Sequence, residues 1–126
     1  MRNAFLTLLE EASARVATLE ARGGAALIAG DNSAYDAAMR EKALFLSRLY
    51  AMCADSLESL EEKDRAYAAA RLRVFSASAA QGLSLGSVFY MSALLFSEDH
   101  RPGEPDDLAV LLAEMRRRLT DRPAAP

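Results

Sequence analysis

Two long apolar-periodic segments meet at Ala29-Gly30-Asp31-Asn32-Ser33. Gly30 can take the left-handed conformation that ends a helix, and Asp31, Asn32 or Ser33 each offer an oxygen to the unpaired amides that begin the next one. A turn this short returns the second helix antiparallel to the first. The resulting hairpin constrains the rest of the chain, which has to cover the apolar stripes of two long helices.

The first stripe, Phe5, Leu8, Leu9, Ala12, Val16, Leu19, Gly23, Ala26 and Leu27, advances in steps of three and four, while Glu10, Glu11, Arg15, Glu20 and Arg22 fall mainly off it. This spacing predicts a helix over 3–29, about 40 Å long at 1.5 Å per residue. Gly23-Gly24 lies inside that helix. A mid-helix glycine costs about 1 kcal/mol relative to alanine, so the pair predicts close approach by a neighbour rather than a break.

The second stripe, Tyr35, Ala38, Met39, Lys42, Phe45, Leu46, Leu49, Met52, Cys53, Leu57 and Leu60, predicts a helix over 33–60, with Leu19 and Leu27 packed near Met39 and Leu46. A break is expected at 60–64, where Ser59 and Glu62 can form a capping box or Asp64 can cap a third helix.

Alanine supplies much of the hydrophobic content, tryptophan is absent and β-branched residues are scarce, which together exclude a sheet-based core. The expected fold class is all-α, with the hairpin extended to a three- to five-helix bundle. At 126 residues the chain suits one domain. Its formal net charge of −3 is made of interleaved acids and bases, so no basic face for nucleic acid is expected. A lone Cys53 cannot form an intramolecular disulfide, and Glu10 and Glu11 cut short the apolar start at Met1 to Leu9. A cytoplasmic location is expected.

From Val74 to Ser97 only Tyr90 is ionisable. A membrane span needs ~20 apolar residues, but six serines after Val74 and Gln81 interrupt this run, so buried helices over 64–81 and 84–97 are expected instead, with fusion of the two through Gly82 as the alternative. Leu83, Leu85, Val88, Phe89, Met91, Leu94, Leu95 and Phe96 are expected inside. Ser78, Gly82 and Gly86 recur every fourth residue and predict a face for close helix contact. A structural homodimer associating through 74–97 is one reading of that face.

Residues 98–105 read as a linker twice interrupted by proline. Beyond it, Leu108, Leu111, Leu112, Met115 and Leu119 form the stripe of an amphipathic helix over 106–119. Pro105 suits its first turn, Asp106 and Asp107 suit its N-terminal end, and Arg116 to Arg118 suit its C-terminal end. Residues 120–126 are expected to be a disordered tail. The organisation is therefore a bundle at 1–97, a linker, and a separable helix. That stripe is expected either to fold back on the chain's own hairpin or to bind a protein partner; on the partner-binding reading, truncation before Glu104 is expected to spare the fold.

Catalytic patterns are absent. His100 is the only histidine and has no cysteine near it, Cys53 sits on an apolar face, and adjacent acids such as Glu10-Glu11 point in different directions. The glycines match no phosphate-binding loop. No enzyme activity, cofactor or metal is expected.

Leu27-Ile28-Ala29-Gly30-Asp31-Asn32-Ser33-Ala34-Tyr35, continued by Met39, Glu41-Lys42 and Leu46, resembles the first hairpin of the flagellar export chaperones that serve hook-filament junction proteins. The resemblance covers about a third of the chain. It implies a helical cytoplasmic chaperone whose C-terminal amphipathic segment, here Leu108, Leu111, Leu112, Met115 and Leu119, engages a client and becomes ordered on binding.

Overall fold

In a computed structural model, which describes residues 3–120, the chain is all-α. It forms α1 (Ala4–Ile28), α2 (Asn32–Leu57), α3 (Glu62–Leu85), α4 (Val88–Ala93) and α5 (Asp107–Thr120). The Asn3 side chain caps α1, accepting from the amides of Phe5 at 2.8 Å and Leu6 at 3.2 Å. At the other end Gly30 has φ +75°, and the Asp31 amide donates to the Ala26 carbonyl at 2.8 Å, closing the last turn. Asp31 then caps α2 by accepting from the Ala34 amide at 3.0 Å. Thus one dipeptide both stops α1 and starts α2.

Gly23 makes the close approach expected of it. A Cβ there would lie 2.8 Å from the Met39 methyl, whereas Gly24 faces open space and α1 runs through both. Leu19, Met39 and Leu46 are buried as expected, but Leu27 is 53% exposed, like the neighbouring Ile28 at the hairpin tip.

The junction between α2 and α3 departs from expectation. Successive tight turns from Leu57 to Leu60 bury Leu60, and Glu61 precedes α3 without a side-chain cap. The Ser59 hydroxyl donates back to the Ser56 carbonyl instead of capping. Asp64 lies inside the first turn, where its carboxylate favours the positive end of the helix dipole. Further along, the Ser76 hydroxyl donates to the Leu46 carbonyl at 2.8 Å and accepts from the Tyr50 amide at 3.0 Å, fastening α3 to α2.

The helices form an antiparallel bundle of four corners. Helix α2 packs between α1 and α3, α5 packs against α1 and α3 from the other side, and no Cα of α1 comes within 8 Å of one in α3. The diagonals are therefore α1–α3 and α2–α5. A single apolar core runs through all of them, so 98–105 does not separate two cores. Helix α5, at 14 residues, fills only about 21 Å of a corner that the 24 residues of α3 extend to about 36 Å. The remaining length is covered by α4 and the chain that follows it.

The break expected between 81 and 84 falls at Gly86 instead, because α3 continues through Gly82 to Leu85 and stops at Gly86, which has φ +63°; α4 is correspondingly short. The Ser87 amide donates to the Gly82 carbonyl, and the Ser87 hydroxyl accepts from the Tyr90 amide to start α4. The uncharged run is accordingly split. Met91, Leu94 and Leu95 are buried, but Leu85 is 62% and Phe89 85% exposed. Among the described residues no helix is long and apolar enough to cross a membrane.

The small-residue face is divided in the same way. Gly82 admits the Tyr90 ring, which would lie 2.9 Å from a Cβ there, and Ser78 lines the neighbouring hollow. Gly86 makes no close contact, contrary to expectation; it is required for its positive φ, with open space around it. Replacing Gly86 by Ala is therefore expected to cost about 1–2 kcal/mol through the left-handed backbone, with no change in oligomeric state, as read by urea unfolding and sedimentation.

Candidate functional site

The stripe expected to bind a partner is seated in the bundle's fourth corner. Leu108, Leu111 and Met115 are fully buried, Leu112 is 7% exposed, and Leu119 packs at the edge of the core. In this conformation they are core residues. Polar contacts fix the ends of α5. The Asp107 amide donates to the Leu95 carbonyl at 2.9 Å, Arg116 pairs with Glu10 at 2.8 Å, and Arg118 pairs with the nearly buried Asp64 at 3.2 Å. Arg118 also lies over the Tyr67 ring, 4.1 Å from its centroid.

Helix α5 begins one turn position later than its proline suggests. Pro105 lies outside the helix, and the Asp106 carboxylate accepts from the Ala109 amide at 2.8 Å. The expected linker is folded as well. The Arg101 amide donates to Glu104 Oε1 at 2.7 Å, and His100 Nε2 lies 2.9 Å from the Glu104 carbonyl. A carbonyl only accepts, so Nε2 carries the proton there. The His100 ring meets Phe96 edge to face. Of the expected tail 120–126, Thr120 ends α5 and the rest lies outside the described residues.

Where α5 ends its coverage, the corner contains a buried cation. The side chain of Lys42 is fully buried, with Nζ 2.8 Å from Glu20 Oε1 on α1. Nζ also donates to the Ser92 carbonyl near the end of α4 at 3.2 Å and lies 4.9 Å from the centre of the Phe96 ring. A lysine at this position has a local cause. The short α4 brings the Ser92 carbonyl to the buried Lys42 side chain, and an unpaired buried carbonyl is costly.

Loss of water pushes the Lys42 amine below the ordinary lysine value, and attraction to Glu20 and then Asp106 only partly restores it. The folded state therefore binds this proton less tightly than the unfolded chain does. Stability consequently rises with pH between the lowered value and the ordinary one, and below that window the charge on Lys42 costs stability.

Immediately after α4 the backbone is strained. Leu95 has φ +73°, the only positive value outside glycine among the described residues, although its side chain is buried. For a leucine this costs about 1–2 kcal/mol. It turns the chain so that the Leu95 carbonyl meets the first amide of α5. Sequence reading did not identify this arrangement, although a lysine on the apolar stripe of α2 was a visible signal of it.

A cleft of about 510 Å³ runs along the outer seam between α3 and α5, with Val74 and Val110 on its lips and Phe75 and Leu111 in its wall. Asp107 lies at one end; desolvation there, and then the Asp106 charge beside it, push its carboxyl up. Cys53 is inert by placement, being buried with its thiol pushed up to about 11 by loss of water. Among the described residues no group of three metal-ligating side chains converges. Comparison of the chain with protein-family models, curated proteins and solved structures gives no match.

Proposed function

We propose that this chain is a non-enzymatic helical protein-binding module whose exchangeable element is α5, and that it serves as a cytoplasmic export chaperone of the flagellar type. The observation that carries this reading is the construction of the fourth corner. The long α1 and α3 are diagonal, and what closes the gap between them is a single short amphipathic helix seated by Leu108, Leu111, Leu112 and Met115. A corner of this kind accepts any amphipathic helix with anchors at the same spacing. A client helix entering it would release α5, whose own stripe is then free to bury against the client. Each large side chain transferred in this way contributes ~1.5–3 kcal/mol before ordering costs.

The Glu10–Arg116 ion pair provides a readout, since it joins α1 to α5. Pyrene attached at Glu10→Cys and Arg116→Cys reports the seated helix as an excimer, and buried Cys53 does not compete for the label. Adding the C-terminal segment of a hook-filament junction protein is expected to abolish the excimer at saturation. An excimer that persists while the segment is bound would show that α5 stays seated and would end this reading.

A further inference from the structure

We infer that two unpartnered surfaces of this chain fit one another, so that the exposed ridge of α2 docks in the outer groove between α3 and α5 of a second copy. This goes beyond the exchange of α5, which stays seated here and supplies one wall of the groove.

The groove is longer than the 510 Å³ cleft alone. That cleft shares Val74, Phe75 and Asp107 with a second hollow of about 250 Å³, which Tyr90 and the chain from Ala93 to Phe96 also line. Together the hollows follow α3 from Tyr67 to Ser78, about 16 Å at 1.5 Å per residue. Their lips are apolar, with Val74 61% and Val110 50% exposed. The groove carries two charges in a fixed order. Asp107 stands where the hollows join, whereas Arg71 borders only the first of them, stacked on the Tyr67 ring at 4.5 Å from its centroid. Among the described residues neither side chain forms an ion pair. Loss of water and the neighbouring Asp106 both disfavour the charge on Asp107, so a cation brought into the groove relieves it.

On α2, Leu44, Arg48, Met52 and Asp55 recur every three or four residues and so share one face of the helix. Leu44 is 42% and Met52 49% exposed, and among the described residues the side chains of Arg48 and Asp55 form no ion pair or hydrogen bond. Laid antiparallel to α3 of the next copy, this ridge brings Arg48 to Asp107 and Asp55 toward Arg71, with Leu44 over the second hollow and Met52 over the first. Leu44 and Met52 stand about 12 Å apart along the helix, within the length of the groove. The reverse direction forfeits the second charge pair, so the charges fix the orientation. Ridge and groove are different surfaces, so the contact is heterologous and joins copies head to tail. Both apolar anchors are already half covered in the free chain and gain little burial on docking. The contact therefore belongs to concentrated protein, and in dilute solution the groove stands open.

Sedimentation velocity on the full chain from about 10 µM to about 1 mM tests this. The average mass is expected to rise with concentration. Arg48→Glu alone and Asp107→Arg alone are each expected to weaken association about tenfold or more, the loss of one partly desolvated charge pair. An equimolar mixture of the two variants is expected to restore it, because the changed ridge of one fits the changed groove of the other while the unchanged ridge and groove still fit. A wild-type chain that stays monomeric at about 1 mM overturns the proposal and leaves the groove to another occupant. Association that either variant leaves unchanged, or that mixing fails to restore, also overturns it. If circular dichroism shows that Asp107→Arg does not fold, Arg48→Glu decides alone, and association equal to wild type overturns the proposal. No client enters these measurements, so a persistent pyrene excimer would end the functional reading and leave this contact untouched.

Discussion

Truncation before Glu104 is expected to abolish cooperative unfolding. Helix α5 buries Leu108, Leu111, Leu112 and Met115, and it packs against both α1 and α3 in the single apolar core. At ~1.5–3 kcal/mol each, the four α5 side chains alone amount to about 6–12 kcal/mol of gross burial, against a total of about 5–15 kcal/mol for a typical domain. The truncated chain loses that burial and exposes the wall beneath it, leaving α1 to α4 around an open corner. Circular dichroism is expected to show a shallow, non-sigmoidal melt, with binding of an apolar dye at room temperature. A truncated chain that melts like the full one would mean that the corner contributes nothing to stability. This is the outcome of the fold-back reading of the stripe, and it reverses the expectation that the linker uncouples the helix.

The reason for that reversal shows which information was local. Pro102, Gly103 and Pro105 specify where helices cannot run, but not that Arg101, His100 and Glu104 close the segment on itself. The α5 stripe was legible as a helix with one apolar face, yet periodicity does not say whose core that face enters. The α1–α2 hairpin was legible to within three residues at every helix end, because its cap and both stripes lie within the segments they define. Gly86-Ser87 repeats the stop-and-start chemistry of Gly30-Asp31, so the end of α3 was equally readable. The lack of charge from Val74 to Ser97 does not locate it, since charge composition sets burial on average and φ at one glycine sets where a helix ends. Lys42 was visible as a charge on an apolar stripe. Its partners at Glu20, Ser92 and Phe96 come from separate elements, and nothing in their spacing along the chain announces that they meet.

Two adjacent substitutions on α5 separate its inner face from its outer one. Leu111→Asp places a carboxylate where the side chain is fully buried, whereas Val110→Asp places it where half the residue already meets water. The first forfeits ~1.5–3 kcal/mol of burial and would add several kcal/mol for a desolvated charge. The chain has a way to avoid the second cost, which is to release α5 and let the aspartate reach solvent. Leu111→Asp is therefore expected to cost as much as truncation and no more, since both leave the fourth corner empty. Val110→Asp is expected to stay within about 0.5 kcal/mol of wild type, as exposed surface changes usually do. Urea unfolding recorded alongside the truncated chain reads both: Leu111→Asp is expected to lose the cooperative transition as truncation does, and Val110→Asp to keep it with a midpoint near that of wild type. If Leu111→Asp costs clearly less than truncation, part of α5 holds its seat without Leu111, and the anchoring then resides in Leu108 and the Asp107–Leu95 bond at its start. If Val110→Asp is as damaging as Leu111→Asp, the outer cleft along α3 is covered rather than open, and a concentration dependence of the midpoint would identify a second copy of the chain as the cover.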